Sequence, residues 1–288
     1  MFFFTTFNCR RSTRPIVTNR DIILDFIRSS PELFSNSILD TTGFSLAGST
    51  ISFGRNFRVG APRDTVVIIN SLDTVGNVIQ SRSVVEAGID LLDTLIGTLR
   101  SSDSAGTHSR NFQLLVSKFA YFQNLGSLVP TNRGWVLRSV SQTYMGGANL
   151  LESVSLRAIN SQKDTVFVRQ PRSSDPETDP QLVQVLFNPF QLKFGDSVEI
   201  TAYVNMFNPD TNFFVICHIT DLNSTRRVQL LPDSSGRLFG GFKLSSESGL
   251  DHRYRRLAID VITRSALTNP SAIPFQNEIW GIIYQLVP

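Results

Sequence analysis

The residues of this chain that are able to do chemistry are few and scattered. His218 lies three residues before Asp221, and Asp251-His252 adjoins Arg253, Arg255 and Arg256. A hydrolase needs a nucleophile, a base and an orienting acid brought together, and neither a Gly-x-Ser-x-Gly elbow nor a His-Glu-x-x-His helix accompanies these pairs. They read as strand and turn residues. Asp175, Glu177 and Asp179 alternate as the ligands of a calcium loop do. Pro176 and Pro180 interrupt them, and the glycine turn and distal glutamate of such a loop are missing. Cys9 and Cys217, with His108, His218 and His252, show no zinc-ligand spacing. No catalytic residue, metal or cofactor is expected.

Two groups of residues are candidates for binding instead. His252-Arg253-Tyr254-Arg255-Arg256 is the densest basic run, and with Arg226 and Arg227 it offers a patch for an anionic glycan, a phospholipid head group or a protein. Side chains alternate along a strand, so Arg253 and Arg255 project together and Arg256 goes to the other side. The plainer reading is a charged sheet edge that resists aggregation. The second group is Phe119, Phe122 and Trp135, which would line a ligand pocket if the sheet around them were curved, and would otherwise be ordinary core.

Composition sets the frame for these sites. At 288 residues, 41% hydrophobic and 18% charged, the chain is long enough for two domains and able to bury real cores. A formal charge of +3 is a thin field, well short of the basic stripe of a nucleic-acid binder. The basic residues are nearly all arginine, with lysine only at 118, 163, 193 and 243. Cys217, inside the apolar run 213–219, reads as a small buried hydrophobe.

The elements that position the candidates are mostly strands. The firmest is 190–206, where Phe194, Val198, Ile200, Ala202, Val204 and Met206 fall on one side of an every-other-residue pattern, with Gly195-Asp196 supplying a turn. A helix is expected over 18–34, capped at Thr18 or Asn19, with Asp21 in its first turn, an apolar face of Ile22, Ile23, Phe26 and Ile27, and a break at Ser30-Pro31. No helix is expected beyond it. Residues 84–99 carry a helical stripe of Val85, Ile89, Leu92, Ile96 and Leu99, but Gly88, Gly97, Thr94 and Thr98 argue for strands. Long strands at 110–124 and 133–145, a hairpin over 150–169, and strands near 213–220, 226–232, 237–244, 254–263 and 278–287 complete the reading. The run QPRSSDPETDPQ, with Pro171, Pro176 and Pro180, marks an exposed connection.

Three resemblances follow from these residues. The opening FFFTTFNC, with Arg10, Arg11 and Arg14 behind it, resembles the tail end of a bacterial lipoprotein signal, which implies a lipidated Cys9. A capped helix followed by long antiparallel strands, the last carrying Gly134-Trp135 and Val140-Ser141, is similar to the cone-shaped nuclear transport factor 2-like and cystatin-like folds. That likeness implies a helix laid across a curved sheet. The strands after 182, with the Pro232-Asp233 to Gly236 turn and a Gly240-Gly241-Phe242 strand, resemble immunoglobulin-like modules of bacterial exported proteins, without the paired cysteines of antibody domains.

The expected fold is therefore mainly β. It comprises a disordered N-terminus or signal remnant (1–17), a helix-plus-antiparallel-sheet domain (18–169), a linker (170–181) and an immunoglobulin-like β-sandwich (182–288). The expected function is non-enzymatic binding or scaffolding at the cell envelope, periplasmic or at the surface, with a protein or glycan partner, no nucleic acid, and contact with a membrane only through the lipid anchor. The alternatives are an enzyme or small-ligand carrier using a pocket in the first domain, and a cytoplasmic location.

Overall fold

The computed structural model describes residues 18–35, 39, 42–60, 65–75, 78–126, 131–146, 149–168, 182–184, 190–205, 212–220, 225–234, 237–244, 253–269, 271 and 275–287, with the backbone alone at 65–75, 78–85, 182–184 and 253. Helix α1 (Asn19–Ser29) begins where the sequence places a cap. The Thr18 hydroxyl accepts from Asp21 N at 3.2 Å, and the Asp21 carboxylate accepts from Thr18 N at 2.9 Å, a reciprocal capping box. Pro31 opens the short α2 (Pro31–Phe34) and ends α1, because its ring cannot continue a helix. The buried side chains of these helices, Ile22, Ile23, Leu33 and Phe34, pack on Ala87, Ile89, Ala120, Phe122, Trp135, Leu137 and Val140.

The rest is almost entirely strand. In chain order these are β1 (Phe44–Ser45), β2 (Ser52–Val59), β3 (Thr65–Val75), β4 (Val78–Asp103), β5 (Gly106–Asn124), β6 (Trp135–Ser141), β7 (Thr143–Gly146), β8 (Leu151–Ala158) and β9 (Lys163–Val168). There follow β10 (Leu182–Gln184), β11 (Gln191–Lys193), β12 (Ser197–Val204), β13 (Phe213–Thr220), β14 (Thr225–Pro232), β15 (Leu238–Lys243), β16 (Arg253–Thr263) and β17 (Asn277–Val287). They form one hydrogen-bonded network, antiparallel except where β11 runs parallel to β17. Residues 84–99 lie within β4, whose partner β5 is paired with it from Val85 to Asp103. That long register settles the competition with a helix. One helix was not expected: α3 (Arg264–Thr268), a single turn capped by the Thr263 hydroxyl on Ala266 N at 3.2 Å. Five residues are too few for a helical stripe to be readable.

The network folds over itself into layers. β13, β16 and β17 lie in the middle and are covered on both faces, which is why Leu257–Ile262 and Ile279–Tyr284 are buried without alternation. One face, with Val215, Cys217, Ile219, Ile259, Trp280 and Ile282, packs on Val154 and Leu156 of β8 and on Val198, Ile200 and Ala202 of β12. The other, with Ile216, Ala258, Ile262 and Ile279, packs on Phe53, Leu95, Leu99, Phe112 and Leu114 of β2, β4 and β5. The stretches 1–17 and 170–181 lie outside the described residues. Strands from either side of 170–181 pair directly, β8 with β12, β7 with β17 and β6 with β10.

Candidate functional site

Buried ionisable groups are the first place to look for chemistry. Asp260 on β16 is fully buried and takes donors from three strands. His218 on β13 places Nε2 3.2 Å from Oδ2, Asn277 on β17 donates Nδ2 to Oδ1 at 2.7 Å, and Arg55 on β2 closes over them. The Arg55 guanidinium is bidentate, Nη1 to Oδ2 and Nη2 to Oδ1 at 3.1 Å. Burial alone drives the Asp260 carboxyl upward, but the Arg55 charge and the His218 bond outweigh it, and the acid is held well below the usual carboxylate range. An ionised carboxylate only accepts, so His218 carries its proton on Nε2. This is an Asp–His pair with its acid consumed by a guanidinium. It ties the β2–β4–β5 layer to the middle layer.

The other buried polar groups are spent in the same way. The Glu278 carboxylate accepts from Leu150 N, from Leu151 N at 3.2 Å and from Trp280 Nε1 at 2.8 Å, so it turns the chain into β8. Lys118 donates to Leu33 O and Arg256 to Ser35 O, two basic side chains gripping the carbonyl end of α2. Burial, then the neighbouring Arg256 charge, pushes the Lys118 amine well down, while burial pushes Arg256 down to about 10 against an opposing pull from Glu32. Burial also pushes the Cys217 thiol up, which makes it inert. Among the described residues no group of three or more His, Cys, Asp or Glu is placed to hold a metal ion, and no helix is long and apolar enough to cross a membrane.

The residues singled out from the sequence are dispersed. Phe122 and Trp135 sit together in the packed cluster under α1, where Phe26 meets Phe122 edge-on at 5.4 Å. Phe119 lies on the opposite face of β5 beside Tyr121, as its odd number requires, so the three do not line one cavity. The basic run divides too. Arg256 is buried. Arg255 donates to Tyr254 O at 3.5 Å, and Arg253 is described only by its backbone, which pairs with Leu286. Arg226 lies beyond β13 from them and donates to Lys243 O at 2.9 Å. Arg227 is engaged with Thr42 O and Gly43 O, both at 2.9 Å. Cys9, Asp175, Glu177, Asp179, Asp221, Asp251 and His252 lie outside the described residues.

The open surface that the sequence did not reveal is the outer face of β2, β4 and β5. An open groove of about 430 Å³ is lined there by Asn56, Phe57, Arg58, Ile96, Gly97, Thr98 and Asn111. The registers stack these side chains in cross-strand rows: Arg58–Ile96–Gln113, Asn56–Thr98–Asn111, Gly54–Arg100–Ser109 and Ser52–Ser102–Thr107. Thr98 donates to Asn111 Oδ1 at 3.1 Å, and the Ser52 and Ser102 hydroxyls lie 2.7 Å apart. Gly97 of β4 lies in the groove lining between Phe57 of β2 and Phe112 of β5. A Cβ there would sit 2.2 Å from Asn56 O and 2.9 Å from a Phe112 ring carbon, so the ring of Phe112 and the Cβ of Phe57 occupy the space beneath it. The signal in the sequence was only the strand alternation of 52–59 and 109–115, which marks a solvated face but not its use.

Amides that both donate and accept, hydroxyls, two guanidinium groups and an isoleucine form a surface suited to holding a polar chain by many hydrogen bonds. It contains no nucleophile–base pair. No protein-family model, no curated protein and no solved structure matches this chain.

Proposed function

We propose that the protein is a non-enzymatic, glycan-binding component of the cell envelope whose ligand lies along the outer face of β2, β4 and β5. One observation carries this reading: the groove at Asn56, Arg58, Thr98 and Asn111 is open and lined with side chains that match hydroxylated ligands. The acid–base groups Asp260, Glu278, Lys118 and Arg256 are all engaged in holding the fold. The finer architecture belongs to the same proposal. Helices α1 and α2 on β4, β5 and β6 would form a helix-on-curved-sheet unit, and the layers around β12 and β13 an immunoglobulin-like unit that presents it. The apolar cluster beneath α1 is distinct from the one between β8, β12 and β13, while a third cluster joins the two regions. A lipid anchor at Cys9 is part of the proposal as well, and the intact mass of the N-terminal fragment from the native host tests it.

The binding test is a panel of immobilised neutral and acidic glycans probed with the wild type and with Asn56→Ala/Asn111→Ala. The expected result is binding to at least one glycan class, weakened about tenfold by the double variant, since each lost hydrogen bond is worth about 0.5–1.5 kcal/mol. No binding across the panel, or binding that the variant leaves intact, overturns the reading.

A further inference from the structure

The groove is one part of a longer face, and its charge has one sign. The four rows, with Thr94–Leu115 beyond Arg58–Ile96–Gln113, make a strip three strands wide. At about 6.8 Å per pair of residues it runs about 27 Å. Asn56, Arg58, Ile96, Arg100, Thr107, Ser109, Asn111, Gln113 and Leu115 on it are all exposed, so no other described element covers it. None of its rows holds an aspartate or a glutamate, although the chain has 24 acidic residues against 27 basic ones. Its two cations, Arg58 and Arg100, have no hydrogen-bond or ion-pair partner among the described residues, whereas Arg55, Arg157, Arg227 and Arg237 are each engaged. Four residues of strand separate their rows, which sets them about 13 Å apart along the strip, with the Asn56–Thr98–Asn111 row between.

We infer that the ligand is an acidic polysaccharide chain, a polymer of carboxylate-bearing sugars, laid along this strip with its carboxylates on Arg58 and Arg100 and its hydroxyls on Asn56, Thr98, Asn111 and Gln113. The inference rests on the glycan-binding reading and specifies its ligand. A guanidinium presents a planar fork that takes a carboxylate bidentately, which a neutral sugar cannot exploit. Two such forks at a fixed spacing select a chain with repeated acids over a single anion. Ile96 and Leu115 offer apolar surface to the C–H faces of the rings. The strip is built on paired strands, so binding requires little ordering of the protein.

The test compares polygalacturonate with its fully methyl-esterified form, which keeps the backbone and hydroxyls but loses the charge, by titration calorimetry at physiological ionic strength. The expected result is tighter binding of the acid form by about tenfold or more, lost in Arg58→Gln/Arg100→Gln. A basic protein also attracts polyanions without a site, so Arg20→Gln/Arg157→Gln serves as the control, removing the same two charges from other surfaces. It should keep wild-type affinity. An equal loss in the control overturns the inference, because the attraction would then be that of net charge. Equal affinity for acid and ester overturns it while leaving the glycan-binding reading in place. Absence of binding to polygalacturonate also overturns it, and the panel then decides the broader reading separately.

Discussion

Replacing Asp260 by Asn removes one charge and changes the shape of the side chain very little, so it isolates what the buried ion pair does. The carboxylate receives two bonds from Arg55, one from His218 and one from Asn277, and both side chains of the pair are at most 1% exposed. An amide supplies only one oxygen. Its NH2 must face donors on one side or the other, and the guanidinium stays buried without a counter-charge. Breaking a buried pair by removing one partner costs about 3–5 kcal/mol, and Asp260→Asn should fall in that range. Arg55→Met should cost about 2–3 kcal/mol, less because the carboxylate keeps its His218 and Asn277 donors. The double variant should be more stable than the sum of the two by about 2 kcal/mol, since neither lone charge is then stranded. Urea unfolding followed by the fluorescence of Trp135 and Trp280, which report two different apolar clusters, measures all three. The acid limb gives a further check. An aspartate whose folded pKa is depressed adds stability that is complete above its unfolded value of about 3.9 and is lost as the pH falls toward the folded one, so Asp260→Asn should flatten the acid-induced loss. A cost for Asp260→Asn below about 1 kcal/mol, or strict additivity, would refute the view that this pair joins the layers.

Two further outcomes follow from the packing. Gly97→Ala should destabilise by about 1–3 kcal/mol, seen as a lower midpoint in thermal melts, because its Cβ has nowhere to go without parting β2 from β4; an unchanged midpoint would mean that the strands separate freely there. Lys118→Met should be close to neutral in stability at pH 7. Because the folded-state amine is depressed, the wild type should gain stability as pH rises toward the ordinary lysine value of about 10.4, and the variant should lack that gain. Urea midpoints at pH 7 and 9.5 measure it, and equal slopes for the two proteins would show that burial does not lower the Lys118 amine.

Much of the element map can be read from the chain because it depends on local patterns. The capping residues of α1, the alternation of β12 and the hairpin of β8 and β9 are written in neighbouring residues. What could not be read is what distant segments do to one another. Arg55 in β2 looks like any polar strand position until β16 is laid beneath it, and Asp260 in LAIDVIT looks like a solvated residue until β13 and β17 enclose it. Arg256 counts as surface charge in a basic run but caps a helix 221 residues away. The groove is hidden for the same reason: Asn56, Thr98 and Asn111 are unremarkable separately and form a row only through the register of three strands. Phe119 and Phe122 show the limit of composition, since an aromatic-rich run on a strand divides between two faces.

The position of β17 has a consequence for how the protein comes to be folded at all. Its partners β7, β11 and β16 are all synthesised before it, and the middle layer cannot close until it arrives. Until then β7 and β16 each keep an unpaired edge, and the apolar faces around Ile216, Ala258 and Met145 stay open to water and to other chains. Pairings this distant in sequence make folding slow, and slow formation with exposed edges invites aggregation. The chain should depend on a chaperone, or on delayed release from whatever holds it, through the interval before Asn277–Val287 docks.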